Sequence, residues 1–152
     1  MTTPLAIADM PRLARNLAEI AHYGQNDKAG VPYIEHVRRV GDAAALLAMD
    51  RGLDPRLAQT IGYLHDTDED TPVKLGLLAD LGFPELVVHG VDSVSRRPGE
   101  SYDDLIYRSV QDPYGHVVKL ADIYDHLQQR GEYQLPDSLL NRYLRARSIL
   151  ER

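Results

Sequence analysis

At 152 residues, 43% of them hydrophobic, the chain is long enough to bury a core and reads as one domain over 1–152. It has no cysteine, which excludes a disulfide scaffold, a thiolate metal site and a thiol nucleophile, and which fits a reducing cytoplasm. The net charge of −6 argues against a nucleic-acid polymer as partner, while a bound cation would still admit a small anionic substrate.

The N-terminal stretch MTTPLAIADMPRLARN lacks a basic segment followed by a long apolar run, so no leader is expected. The longest apolar run, Ala43 to Met49, is far too short to span a bilayer, and no membrane partner is expected.

In chain order, Arg12 to Tyr23 has helical spacing, with Leu13, Leu17, Ile20 and Ala21 inward, and Gly24 ends it. Gln25 to Pro32 reads as a loop. Ile34 to Met49 is helical, with Val37, Val40, Ala44 and Leu47 on one face, and Gly52 closes it. Asp54-Pro55 supplies a cap and a proline at the first helical position, starting a helix through Leu64. Thr71-Pro72 repeats that signal and is expected to open a helix over Val73 to Leu81. Pro84 opens another, to about Ser95. Ser101 caps Tyr102 to Gln111, with Asp104 as a weak capping-box partner. Asp112-Pro113 starts a helix through Leu127 that Gly131 stops, and Pro136-Asp137 opens the last, with Leu139, Tyr143, Leu144 and Leu150 inward. The runs LVVHGV and HVVKLA resemble strands, but their flanks favour helix. The expected fold is all-α, a compact bundle of about seven or eight helices.

The stretch LHDTDEDT, Leu64 to Thr71, places Asp66, Asp68, Glu69 and Asp70 at what reads as a helix C-terminus, the end where the macrodipole opposes negative charge. Either the cluster is solvated or a cation compensates it. His36 adjoins an apolar stripe, and Asp122 interrupts an apolar helix. Each alone suits a structural role: a frayed end, a satisfied core histidine, a salt-bridged aspartate. Together, His36, His65, Asp66 and Asp122 come from three helices and offer the imidazole and carboxylate ligands of Mn, Fe or Zn. Neighbouring helix residues point about 100° apart, so His65 and Asp66 can share an ion only near a helix end.

The order H…HD…D resembles the HD superfamily of metal-dependent phosphohydrolases, and more specifically the hydrolase domain of the RelA/SpoT family and its small stand-alone members. HYGQNDKAGVPYIEH, LHDTDEDT and VKLADIYDHL carry the likeness, from His22 to Leu127. The resemblance implies that His36, His65, Asp66 and Asp122 are metal ligands, commonly for Mn2+, with Mg2+, Fe2+ and Zn2+ as alternatives. It implies that Glu69 and Asp70 activate or orient the attacking water, and that Lys28 lies near the substrate. The implied reaction removes the 3'-pyrophosphate of (p)ppGpp. No residues remain for a synthetase half, so synthesis is not expected.

Two positions depart from that pattern. Asp27 stands where guanine-specific hydrolases carry an arginine, and His126 where the family usually has asparagine. His126 lies one helical turn from Asp122, next to an unusual Asp125, and is a candidate contact for substrate or for a second ion. In SRRPGESYDDLIYRS, Arg96, Arg97 and Arg108 are candidate phosphate contacts, with surface arginine as the alternative, and Tyr102 is expected to pack. Tyr143, with Asn141 and Arg142, is a candidate at the pocket edge. The expected function is hydrolysis of a small phosphorylated nucleotide. The alternatives are a non-catalytic nucleotide-binding regulatory module, a hydrolase of another nucleotide such as NADPH, or a helical interaction protein.

Overall fold

The computed structural model describes residues 3–128 and 131–152. Eight helices of six residues or more form among them: α1 (Met10–Ala21), α2 (Ile34–Asp50), α3 (Pro55–Leu64), α5 (Leu75–Asp80), α6 (Glu85–Val94), α7 (Tyr102–Val110), α8 (Pro113–Leu127) and α9 (Asp137–Leu150). A single turn, α4 (Thr67–Asp70), sits inside LHDTDEDT. The described residues hold no strand; an isolated bridge joins Asn26 and Pro32. LVVHGV and HVVKLA are helical, as their flanks require.

Side chains at the N-termini set the starts of three long helices. Asp54 accepts from the Arg56 amide, Ser101 from Asp104, and Asp112 from Tyr114 and Gly115, so amides that open a helix without a partner find one. No described helix is long and apolar enough to cross a membrane.

Four expectations need correction. Thr71-Pro72 does not open a helix at Val73. The Thr71 hydroxyl turns back to accept from the Val73 amide, and α5 starts only at Leu75, whose amide is held by Asp68 Oδ1. Ile20 faces solvent at 76% exposure. The buried stripe of α1 is Met10, Ala14 and Ala18, because alanine lets that helix lie close to α3. In α9, Leu144 is exposed, and Ala146, Ile149 and Leu150 are buried instead. Helix α8 ends at Leu127, before Gly131.

The main core is built by α1, α2, α3, α6 and the first half of α8. A smaller cluster of Ile106, Leu120, Ile123, Ala146, Ile149 and Leu150 joins α7, α8 and α9. Helices α2 and α3 approach so closely that two glycines meet. A Cβ on Gly62 would stand 2.7 Å from Gly41 Cα, and one on Gly41 would stand 2.3 Å from the Tyr63 ring. This contact brings His36, five residues before Gly41, opposite His65, three residues after Gly62.

Gly62→Ala forces backbone against backbone and is expected to cost about 1–3 kcal/mol, lowering the melting temperature by roughly 2–10 °C. Gly76→Ala, with nothing within 4 Å of its Cβ, is expected to be neutral or stabilising by up to about 1 kcal/mol. Thermal unfolding of both variants checks the pair, and an unchanged Gly62→Ala would refute the close contact.

Candidate active site

Helix α3 ends at the buried His65, and Asp66 begins the one-turn α4. The acids of LHDTDEDT therefore occupy a new first turn rather than a fraying end. Two buried threonines fasten it: Thr67 donates to the Leu64 carbonyl at 2.9 Å and Thr71 to the Thr67 carbonyl at 2.7 Å. Asp68 is partly buried and accepts from the Leu75 amide.

The four residues of the H…HD…D pattern converge. Asp122 Oδ1 lies 3.1 Å from His36 Nε2 and 3.5 Å from His65 Nε2, while Asp66 Oδ2 lies 2.8 Å from His65 Nε2 and 3.9 Å from His36 Nε2. His36 Nε2, His65 Nε2 and Asp122 Oδ1 are buried without a hydrogen-bond partner. The other ring nitrogens are engaged. His65 Nδ1 contacts the Gly62 carbonyl at 2.7 Å, and His36 Nδ1 contacts the Asp125 carboxylate at 2.7 Å. In their neutral forms both rings would carry the proton on Nδ1, leaving the Nε2 lone pairs aimed at the cluster, the arrangement that fixes histidine as a metal ligand. His36, His65 and Asp66 can each offer a ligand atom within 4.8 Å of the others. The donor chemistry and the partnerless buried atoms fit a divalent ion.

Charge is strongly displaced here. Burial alone would depress the His65 pKa, yet the Asp66 and Asp122 carboxylates overcome it and carry the pKa well above its ordinary value. Burial works against ionised Asp122, but the Lys119 ammonium foremost holds its pKa well below the usual range. Tyr33 donates its hydroxyl to Asp66 Oδ2, and burial with that carboxylate raises the Tyr33 pKa. Arg39 grips Asp125 with two hydrogen bonds, of 2.7 and 3.1 Å, and so braces the carboxylate behind His36. The buried Lys119 donates to Asp122 Oδ2 at 2.9 Å. Tyr33, Arg39, Lys119 and Asp125 had no assigned role in the sequence, although all but Arg39 lie inside the motifs quoted above.

A cavity of about 680 Å3 opens beside the cluster, a size suited to a small molecule. Lys28, Glu69, Asp70, His126 and Tyr143 all line it. Burial raises the pKa of both Glu69 and Asp70 above the usual carboxylate values. Among the described cations of the lining, Arg39 and Lys119 are paired with acids, and Lys28 is not. Asp27 turns its carboxylate into its own loop, accepting from the Ala29 and Val31 amides. Tyr102 borders the cavity too, with the Arg142 guanidinium 4.8 Å over its ring, while neither Arg142 nor Asn141 reaches the lining.

Arg96 and Arg108 are not brought to the cavity. The Arg108 guanidinium is committed to Glu100 and to the carbonyls of Asp92 and Ser95, and Arg97 pairs with Asp92. Arg96 donates its side chain to the Glu100 carbonyl, and its backbone amide donates to the Glu69 carboxylate. These arginines build the loop that supports Glu69.

Saturating a metal site at 100-fold over its dissociation constant adds about 2.7 kcal/mol, so removing the ion with a chelator is expected to lower the melting temperature by roughly 5–10 °C. His65→Ala should abolish that shift, and a wild-type protein insensitive to chelator would contradict an ion in the core. The hydrogen bonds from Arg108 hold the Glu100 pKa down to about 2. A depressed acid contributes stability above its unfolded pKa and loses it as pH falls through its folded value. Glu100→Gln is therefore expected to be less stable than wild type at neutral pH, with the gap closing between about pH 4.3 and pH 2 in urea titrations. A gap independent of pH would refute the pair.

Residues 33–127 match the family model of the HD domain. The chain is 36% identical over 117 residues to a GTP pyrophosphokinase of Streptomyces coelicolor, covering 72% of this chain and 13% of that protein. It is 28% identical over 142 residues to a GTP pyrophosphokinase of Myxococcus xanthus, covering 80% of this chain and 18% of the relative. It thus spans less than a fifth of the length of either relative. A solved structure described as a metazoan orthologue of SpoT that hydrolyses ppGpp superposes with a TM-score of 0.69 at 19% identity, covering 99% of this chain and 88% of the other, and shares its fold. With its motifs, its helical architecture and the matched span in agreement, the chain belongs to the HD-domain family.

Proposed function

We propose that this protein is a metal-dependent phosphohydrolase acting on a small phosphorylated nucleotide, with the 3'-pyrophosphate of (p)ppGpp as the leading substrate. The observation that carries this reading is the convergence of partnerless His36 Nε2, His65 Nε2 and Asp122 Oδ1 beside a cavity that Glu69 and Asp70 line. HD-family membership, the similarity to GTP pyrophosphokinases and the fold shared with a ppGpp hydrolase support it. Mn2+ is the proposed ion, and the cytoplasm, where nucleotides are abundant, the proposed setting.

His36, His65, Asp66 and Asp122 would hold the ion. When bound, it would supply positive charge against the phosphate and make a water more acidic. Glu69 and Asp70 are the groups to take the water's proton, and burial makes them stronger bases than ordinary carboxylates. The amide of Arg96 orients Glu69, which fixes where that proton is received. Lys28, at the cavity wall, is placed to meet substrate phosphate. Tyr33 keeps Asp66 turned inward.

A second reading rests on Asp27. Its carboxylate is spent inside its own loop, so the position offers no cation to a guanine base. That favours a nucleotide other than guanosine, NADPH among them. The test is a panel of (p)ppGpp, other nucleoside polyphosphates and NADPH incubated with Mn2+-loaded protein, following phosphate and pyrophosphate release. Turnover of at least one member is expected, with Glu69→Gln reducing kcat by about 10²–10⁴-fold and Asp66→Ala removing activity. No turnover of any member would favour a non-catalytic binding module, and full activity in Asp66→Ala would defeat the metal-dependent reading.

A further inference from the structure

We propose that His126 is an additional protein ligand of the divalent ion, through Nε2. The inference rests on the metal reading above and adds a residue that the H…HD…D pattern does not contain. His126 follows Asp122 by one turn of α8, and its Nε2 stands 3.1 Å from Asp122 Oδ1, the same distance at which His36 Nε2 approaches that oxygen. Asp122 Oδ1 nevertheless has no hydrogen-bond partner, and its companion Oδ2 is taken by Lys119. The approach of His126 is therefore close without being aligned for proton donation. A cation between them would satisfy both the imidazole nitrogen of the partly exposed His126 and the buried, partnerless Asp122 oxygen.

Two further observations point the same way. His36, Asp122 and His126 can each offer a ligand atom within 4.8 Å of the others, which makes a second donor group overlapping the first at His36. The His126 ring is also held in place: it stacks on Tyr143 at 4.6 Å and 6°, and it lies 4.5 Å from the His36 ring. Tyr143 is thus a positioning residue for His126 rather than a wall of the cavity alone.

The donor set becomes three imidazole nitrogens with the carboxylates of Asp66 and Asp122. A nitrogen-rich set strengthens binding of Fe, Co, Ni and Zn relative to a purely oxygen-rich one, and an extra protein ligand leaves one fewer position for water or substrate oxygen. In the position where related hydrolases usually carry asparagine, His126 would therefore alter both the choice of metal and the space left for substrate.

The test titrates the metal-free protein, labelled with 15N in its histidine rings, with Zn2+ and follows the ring nitrogens by NMR. The Nε2 signals of His36, His65 and His126 are expected to shift together and to saturate at one equivalent. His126→Asn, which assigns the third signal, is expected to weaken Zn2+ binding at least tenfold without changing the melting temperature of the metal-free protein. If His36 and His65 respond while His126 Nε2 stays unmoved, this inference falls and the metal reading stands. If no histidine responds, both fall.

Discussion

Three buried atoms, His36 Nε2, His65 Nε2 and Asp122 Oδ1, face one another with no hydrogen bond to relieve them. Leaving a buried polar group unsatisfied costs about 1–3 kcal/mol, and three together are a heavy charge on a fold that is stable by only about 5–15 kcal/mol. The surrounding structure holds them in that state rather than letting them turn away. The Gly62 carbonyl and the Asp125 carboxylate fix the rings from behind, Arg39 fixes Asp125, and Lys119 fixes Asp122. The glycine contact between α2 and α3 sets the distance from one histidine to the other. A site built this way is incomplete as a set of protein atoms, and the proposed cation would complete it.

The same constraint accounts for the charge of the cavity. Asp66, Glu69, Asp70, Asp122 and Asp125 all line it, and a phosphorylated substrate would be repelled by so many carboxylates. The proposed divalent ion would reverse the sign of the local field at the point where phosphate would sit. On the proposed reading, that division of labour would leave the outer acids, Glu69 and Asp70, free to act as bases, with Lys28 at the wall to meet phosphate. Arginines 96, 97 and 108 act at a remove, by tying the loop between α6 and α7 against Glu69.

Much of this was legible in the sequence where local chemistry decides the outcome. The Asp-Pro pairs at Asp54 and Asp112 and the cap at Ser101 mark helix starts that the backbone obeys, because a side-chain oxygen next to open amides has one favourable use. The spacing of His36, His65-Asp66 and Asp122 was readable because four ligand residues of two types, drawn from three helices, are improbable as chance core residues. What escaped depends on contacts between distant segments. Thr71 looked like a cap, but a buried hydroxyl bonded to the Thr67 carbonyl serves the acid turn instead. Ile20 looked like core, but close packing on α3 selects the alanine stripe beside it. Arg108 looked like a phosphate contact, and only the fold reveals that Glu100 and two carbonyls occupy its donors. Asp125 gave no local signal for its hold on His36, 89 residues away.

The central claim is that the His/Asp cluster closes around one ion. Anomalous diffraction from crystals grown with Mn2+, recorded on both sides of the manganese edge, tests it most directly. The account predicts one strong peak per chain within bonding distance of His36 Nε2, His65 Nε2, Asp66 and Asp122. A cluster that remains without a peak, in crystals where manganese is bound elsewhere or not at all, would contradict it.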